Sequence, residues 1–155
     1  AYSDRKGFQL DGDVDDTADD LIEGFLLEAA DYLTTIGRTL PELDRATDPR
    51  ECLQRVRRSV HTFKGAAGVV GFRTASQLAH RMEDLLDGLS DGSRTLTPPC
   101  KDLLFATFDA LDEFVHAKGQ LPTFEQTAAR LQHGYATGEA PAVVAQPAAP
   151  VAQPV

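Results

Sequence analysis

Tryptophan is absent from the 155 residues, methionine occurs once and cysteine only twice. Cys52 and Cys100 lie far apart, with no Cys-x-x-Cys spacing and no His/Cys cluster. That excludes a structural zinc site built on thiolates and fits a reducing compartment, hence a cytoplasmic location. Basic residues are in deficit, 15 against 24 acidic ones, for a formal net charge of -9. Such a balance argues against nucleic acid and against an anionic membrane as the principal partner. No apolar run approaches the roughly 18 residues of a membrane-spanning helix, and the first residues lack the charged and apolar segments of a secretory signal. Strand signals are missing as well, since Val69-Val70 and Val143-Val144 are too short to count.

What is present is helical periodicity. Leu21, Ile22, Phe25, Leu26, Ala29, Leu33, Ile36, Leu40 and Leu43 recur at intervals that predict a long first helix over about 17–44, with Gly37 and Pro41 disturbing its last turns. Asp48-Pro49 has the form of an N-cap followed by proline at the first helical position. It opens a second helix that runs to about residue 70, with Val56, Val60, Phe63 and Ala67 as the buried stripe and Gly71 closing it. A third helix over about 74–89 turns Leu78, Met82, Leu85 and Leu89 inward, and Thr97-Pro98 starts a fourth that carries Leu103, Leu104, Phe108, Leu111 and Val115. A short fifth segment, about 123–133, contains Phe124, Ala128 and Leu131. Four amphipathic helices with short joins can bury their stripes only against one another. The expected fold is therefore all-α, an antiparallel four-helix bundle with a short fifth helix.

Three regions follow. Residues 1–16 read as a flexible acidic leader, 17–133 as the bundle, and 134–155, rich in Ala, Pro, Val and Gln, as a linker. The start at Ala1 and the character of the last residues lead us to expect a piece of a longer protein.

The stretch SVHTFKGAAGVVGF, residues 59–72, puts poor helix formers beside a histidine inside the second helix. Arg57 precedes His61 by one turn, Lys64 and Gly65 follow by about one, and Gly68 by two, so all share one face. Two interior glycines cost about 2 kcal/mol against alanine. A compensating gain is access, because a partner's backbone can approach His61 without meeting a side chain. Lys64 and Arg57 are placed to neutralise phosphoryl oxygens on the imidazole. On the third helix His80 and Glu83 are three apart. If that face flanks His61, Glu83 can hold the proton on Nδ1 and leave Nε2 as the free lone pair. Nine acidic residues and no basic one fall in 11–31, whereas Arg50, Arg55, Arg57, Arg58 and Lys64 lie on the second helix. The basic surface beside the nucleophile suits a partner whose active site is a cluster of carboxylates.

HTFKGAAGVVGF followed by LAHRMEDLLDGL resembles the histidine-containing phosphotransfer (HPt) domains, most closely the amino-terminal domain of chemotaxis and motility kinases of the CheA type. The resemblance covers about residues 18–133. It implies a five-helix fold and assigns His61 as the phosphorylated histidine, with Lys64, His80 and Glu83 as its chemical partners and Gly65 and Gly68 as the small positions. It also implies a phosphocarrier that takes its group from a CheA-type kinase catalytic domain using ATP and Mg, and gives it to an aspartate of a response-regulator receiver holding Mg, with no cofactor bound by the carrier. No nucleotide-binding segment is present, so this chain is not expected to phosphorylate itself. Two other readings remain open on sequence: a bundle used only for docking or dimerisation, and a metal site built from His61, His80 and Glu83.

Overall fold

The computed structural model describes residues 2–141, with side chains from Thr17 onward. Five α-helices account for most of it, and no strand occurs among the described residues. They are α1 (Tyr2–Thr39), α2 (Arg50–Val69), α3 (Arg73–Asp91), α4 (Pro98–His116) and α5 (Phe124–Thr137). The first four pack in a closed ring, α1 on α2, α2 on α3, α3 on α4 and α4 back on α1, while α5 lies across α3 and α4.

The expected stripes form the core. Phe25, Ala29, Leu33 and Ile36 of α1 meet Val56, Val60, Phe63 and Ala67 of α2, Leu78, Met82, Leu85 and Leu86 of α3, and Leu103, Leu104 and Leu111 of α4. Leu21, assigned to the stripe by spacing, is instead 57% exposed. A run of aromatic rings holds one end of the bundle together. Phe63 touches Phe25, Phe25 touches Phe72, Phe72 meets Phe114 edge-on, and Phe114 lies 4.3 Å from Phe124 between ring centroids. Phe72 sits in the α2–α3 turn, where Gly71 adopts φ +90° to reverse the chain.

Several helix limits differ from expectation. α1 starts at Tyr2 rather than near 17, so the residues expected as a leader are helical in backbone. Gly37 does not interrupt it: a side chain there would meet the Phe108 ring at 2.7 Å, and the glycine lets α4 approach. Pro41 does act, converting the last expected turns into a short 3-10 helix, Leu40–Asp44. Asp48 caps from one position further out, its Oδ1 accepting the Arg50 backbone N–H at 3.1 Å. Thr97 caps α4 as expected through the Cys100 N–H. α3 runs on to Asp91, two residues past the expected end, with Gly88 buried within it. The fifth helix runs through Gly134 to Thr137, so residues 134–137, expected as the start of a linker, are helical, and residues 142–155 lie outside the described ones. Tyr135, within that expected linker, hydrogen-bonds the buried Thr107 hydroxyl at 2.6 Å and ties α5 to α4.

Candidate functional site

α2 and α3 run antiparallel about the turn at Phe72, so residues equally far from it face each other. Gly68 and Ser76 stand four away, and a side chain at 68 would meet only the Ser76 hydroxyl at 3.4 Å. His61 and Glu83 stand eleven away. Their juxtaposition is thus a consequence of helix register fixed by the Val60, Phe63 and Ala67 stripe packing on Leu78, Ala79 and Met82.

Glu83 is 4% exposed. Its Oε2 lies 2.5 Å from His61 Nδ1 and its Oε1 lies 2.6 Å from Lys64 Nζ. Burial by itself would raise the carboxyl pKa, but the hydrogen bonds from Lys64 and His61, with their charges, outweigh it and hold the group below the usual carboxylate range. An ionised carboxylate only accepts, so the shared proton sits on Nδ1 of His61 and the neutral ring keeps its lone pair on Nε2. No protein atom takes that lone pair among the described residues, and the His61 side chain is 59% exposed. The site is therefore a half-open imidazole, anchored at one nitrogen and bare at the other.

Lys64 is half-buried and bonded to Glu83, the same carboxylate that holds His61. A further bond, from the Ser76 hydroxyl to the Lys64 carbonyl at 2.9 Å, fixes this part of α2 against α3. Gly65 has no atom within 4 Å of where a side chain would begin, and Gly68 has only Ser76, so neither glycine serves helix packing. Both lie on the open face with His61, and Val69, next on that face, is 83% exposed.

Two residues are placed differently from the sequence expectation. Arg57 does not stand free beside His61: Nε donates to Oδ1 of Asp87, and Nη2 lies 3.8 Å from Oε2 of Glu83. The hydrogen bond and charge of Asp87 push the guanidinium above its ordinary value against a smaller opposing effect of burial. Asp87 does not stand out in the sequence, although its position four residues after Glu83 is one helical turn along the same face. His80 is not brought to the imidazole of His61 by any contact; it is exposed, its Nε2 3.5 Å from Asp84 Oδ1 in a depression shared with Gln77, Arg81 and Gln132. Three residues along a helix amount to about 60° around its axis. Glu83 turns inward and His80 turns out. The metal reading loses its donor set for the same reason: among the described residues no group of three His, Cys, Asp or Glu side chains is arranged to hold an ion. Nor is any described helix long and apolar enough to cross a membrane.

Residues 20–117 match the family model described as Hpt domain. The chain belongs to the Hpt domain family. Relatives of this Hpt domain include the chemotaxis protein CheA of Halobacterium salinarum, 35% identical over 94 residues that make up 61% of this chain and 14% of that protein. The chemotaxis protein CheA of Klebsiella aerogenes is 32% identical over 136 residues, 80% of this chain and 21% of that protein. The chain thus spans about a fifth or less of the curated relatives named here. Among solved structures, the phosphorylated P1 domain of CheA3 in complex with CheY6 from R. sphaeroides superposes with a TM-score of 0.64 at 22% identity, covering 78% of this chain and 99% of that one. That likeness shows the fold, a five-helix Hpt bundle.

Proposed function

We propose that this Hpt domain is a histidine phosphocarrier within a CheA-type signalling system in the cytoplasm, with His61 as the acceptor. The observation that carries the reading is the His61 Nδ1 to Glu83 Oε2 bond of 2.5 Å, which leaves Nε2 as a bare, electron-rich nucleophile on an exposed face. A kinase catalytic domain presents ATP with its Mg. The Nε2 lone pair attacks the γ-phosphorus, the N–P bond forms, and the P–O bond to ADP breaks with its electron pair leaving on ADP. The ring becomes cationic while its Nδ1 proton stays shared with Glu83, which offsets the new charge. Lys64, one turn after His61 on the same helix face and bonded to Glu83, is a cation available to the incoming phosphoryl oxygens. In the second half a receiver carboxylate attacks the same phosphorus, the P–N bond breaks, and the lone pair returns to Nε2, assisted by an Mg ion held by the receiver.

The open face supports a receiver as partner. Gly65 and Gly68 leave room for an approaching backbone, Val69 offers apolar contact area, and Arg58, one turn from His61, supplies positive charge toward a carboxylate-lined active site. The P1 domain of R. sphaeroides CheA3, in its phosphorylated form, is itself in complex with CheY6.

The test is a two-step labelling experiment. Incubation with a CheA-type kinase core and γ-labelled ATP is expected to give acid-labile label that is absent in His61→Gln and that moves to a receiver on its addition. Failure to label with an active kinase would leave the bundle as a docking or dimerisation element. Label that persists in His61→Gln would move the acceptor elsewhere.

A further inference from the structure

Arg57 and Asp87 stand fifteen residues either side of Phe72, one rung beyond His61 and Glu83 on the same α2–α3 seam. The two rungs are not independent. Nη2 of Arg57 lies 3.8 Å from Oε2 of Glu83, the oxygen that takes the Nδ1 proton of His61. That separation is beyond hydrogen-bond length, yet a small rotation of a five-donor guanidinium would close it. What opposes the rotation is the bond from Nε to Oδ1 of Asp87. Oε1 cannot substitute, because Lys64 occupies it at 2.6 Å.

We propose that Asp87 is a positioning residue for phosphoryl acceptance: by holding Arg57 one rung away, it reserves Oε2 of Glu83 for His61. The proposal rests on the carrier reading above. A carboxylate oxygen shared with a guanidinium is a poorer acceptor for the imidazole N–H. The Nδ1–H bond then weakens, the ring becomes less electron-rich at Nε2, and the other tautomer gains population. Arg57 is in this arrangement a competitor under restraint, and the restraint is what the reaction needs. If the pair were only an inter-helix tie, either half could be removed with the same result.

The experiment compares Asp87→Asn, Arg57→Gln and the double variant of the whole chain. Two readouts are used: the Nδ1 proton resonance of His61 in the resting protein, and the rate of His61 phosphorylation by phosphoramidate, which needs no kinase. Asp87→Asn is expected to move the Nδ1 proton upfield and to slow acceptance on the order of tenfold, the size of coupling found between contacting charged groups. Arg57→Gln should leave the Nδ1 resonance at the parent position and the rate within about twofold of the parent, and the double variant should recover to the same level. Asp87 is 45% exposed, so thermal melts should show all three variants folded. An Asp87→Asn loss that persists in the double variant, or an unmoved His61 resonance, overturns the proposal. Parent protein that phosphoramidate and kinase both fail to label at His61 overturns the carrier reading instead, while the resonance comparison still decides whether Arg57 competes for Glu83.

Discussion

Glu83 takes two cationic or potentially cationic partners from one helix, Lys64 on Oε1 and His61 on Oε2, and does so at 4% exposure. A buried carboxylate without partners would be costly; with both oxygens occupied it is fully used. His61 is consequently fixed from beneath by a residue that no solvent-borne partner touches. Chemistry and docking are separable in this arrangement, so either can be lost while the other is kept.

Glu83→Ala is expected to slow phosphorylation of His61 by roughly 10- to 100-fold, corresponding to loss of a charge-assisted hydrogen bond. Receiver affinity should stay within about twofold, since Glu83 lies under the surface. Rapid-quench phosphorylation set beside isothermal titration with a receiver checks both. Equal losses in the two would mean that Glu83 shapes the surface rather than the imidazole.

Stability should depend on pH through the same carboxylate. Burial works to raise its pKa, yet Lys64 and His61 together hold the folded-state value below the unfolded one. Its stabilisation is present above the unfolded carboxylate value of about 4.3 and is lost as pH falls through the lower folded value. Urea midpoints of the parent should therefore drop between about pH 5 and pH 3 more steeply than those of Glu83→Gln, which has no carboxyl to titrate there. Parallel curves for the two proteins would show that Glu83 does not carry the effect.

Gly68→Leu is expected to leave the fold intact, because its first side-chain atom meets only Ser76 Oγ at 3.4 Å. Replacing an interior helical glycine should also stabilise α2 by up to about 1 kcal/mol. Transfer to a receiver should nevertheless slow, because the added side chain stands two turns from His61 on the open face. A higher melting temperature with unchanged transfer kinetics would remove the access argument for the glycines.

Much of this is legible in the sequence because periodicity reports burial. The stripes of α2, α3 and α4 appear where spacing places them, and a motif of His61, Lys64 and Glu83 can be assembled since register follows from those stripes. The helical backbone ahead of residue 17 is not legible, for that stretch carries no apolar stripe. Extending a helix already nucleated by a packed half requires none. Gly134 has the look of a terminus, yet a side chain there would meet Glu139 O at 2.5 Å and Leu103 Cδ2 at 2.9 Å. The glycine is a close-packing position, and α5 continues past it to Tyr135. His80 shares a helix face with Glu83 only loosely, and spacing alone does not separate inward from outward. Arg57 resembles an open cation in the sequence because Asp87, distant along the chain, carries no local sign of pairing with it.

Tyr135 offers a check on that missed part of the fold. Desolvation holds its phenol above the ordinary value, opposed by the hydrogen bond to Thr107. Tyr135→Phe leaves the fully buried Thr107 hydroxyl without this partner and is expected to cost about 1–2 kcal/mol. Chemical denaturation measures it; a loss near zero would mean that α5 is held by its apolar contacts alone.

The most direct measurement of the central claim is the identity of the phosphorylated nitrogen. In protein labelled with 15N at histidine and phosphorylated by a kinase core, nitrogen shifts and nitrogen–phosphorus coupling are expected to place the phosphoryl group on Nε2 of His61, with the proton retained on Nδ1. A phosphoryl group on Nδ1, or on another histidine, would contradict the account.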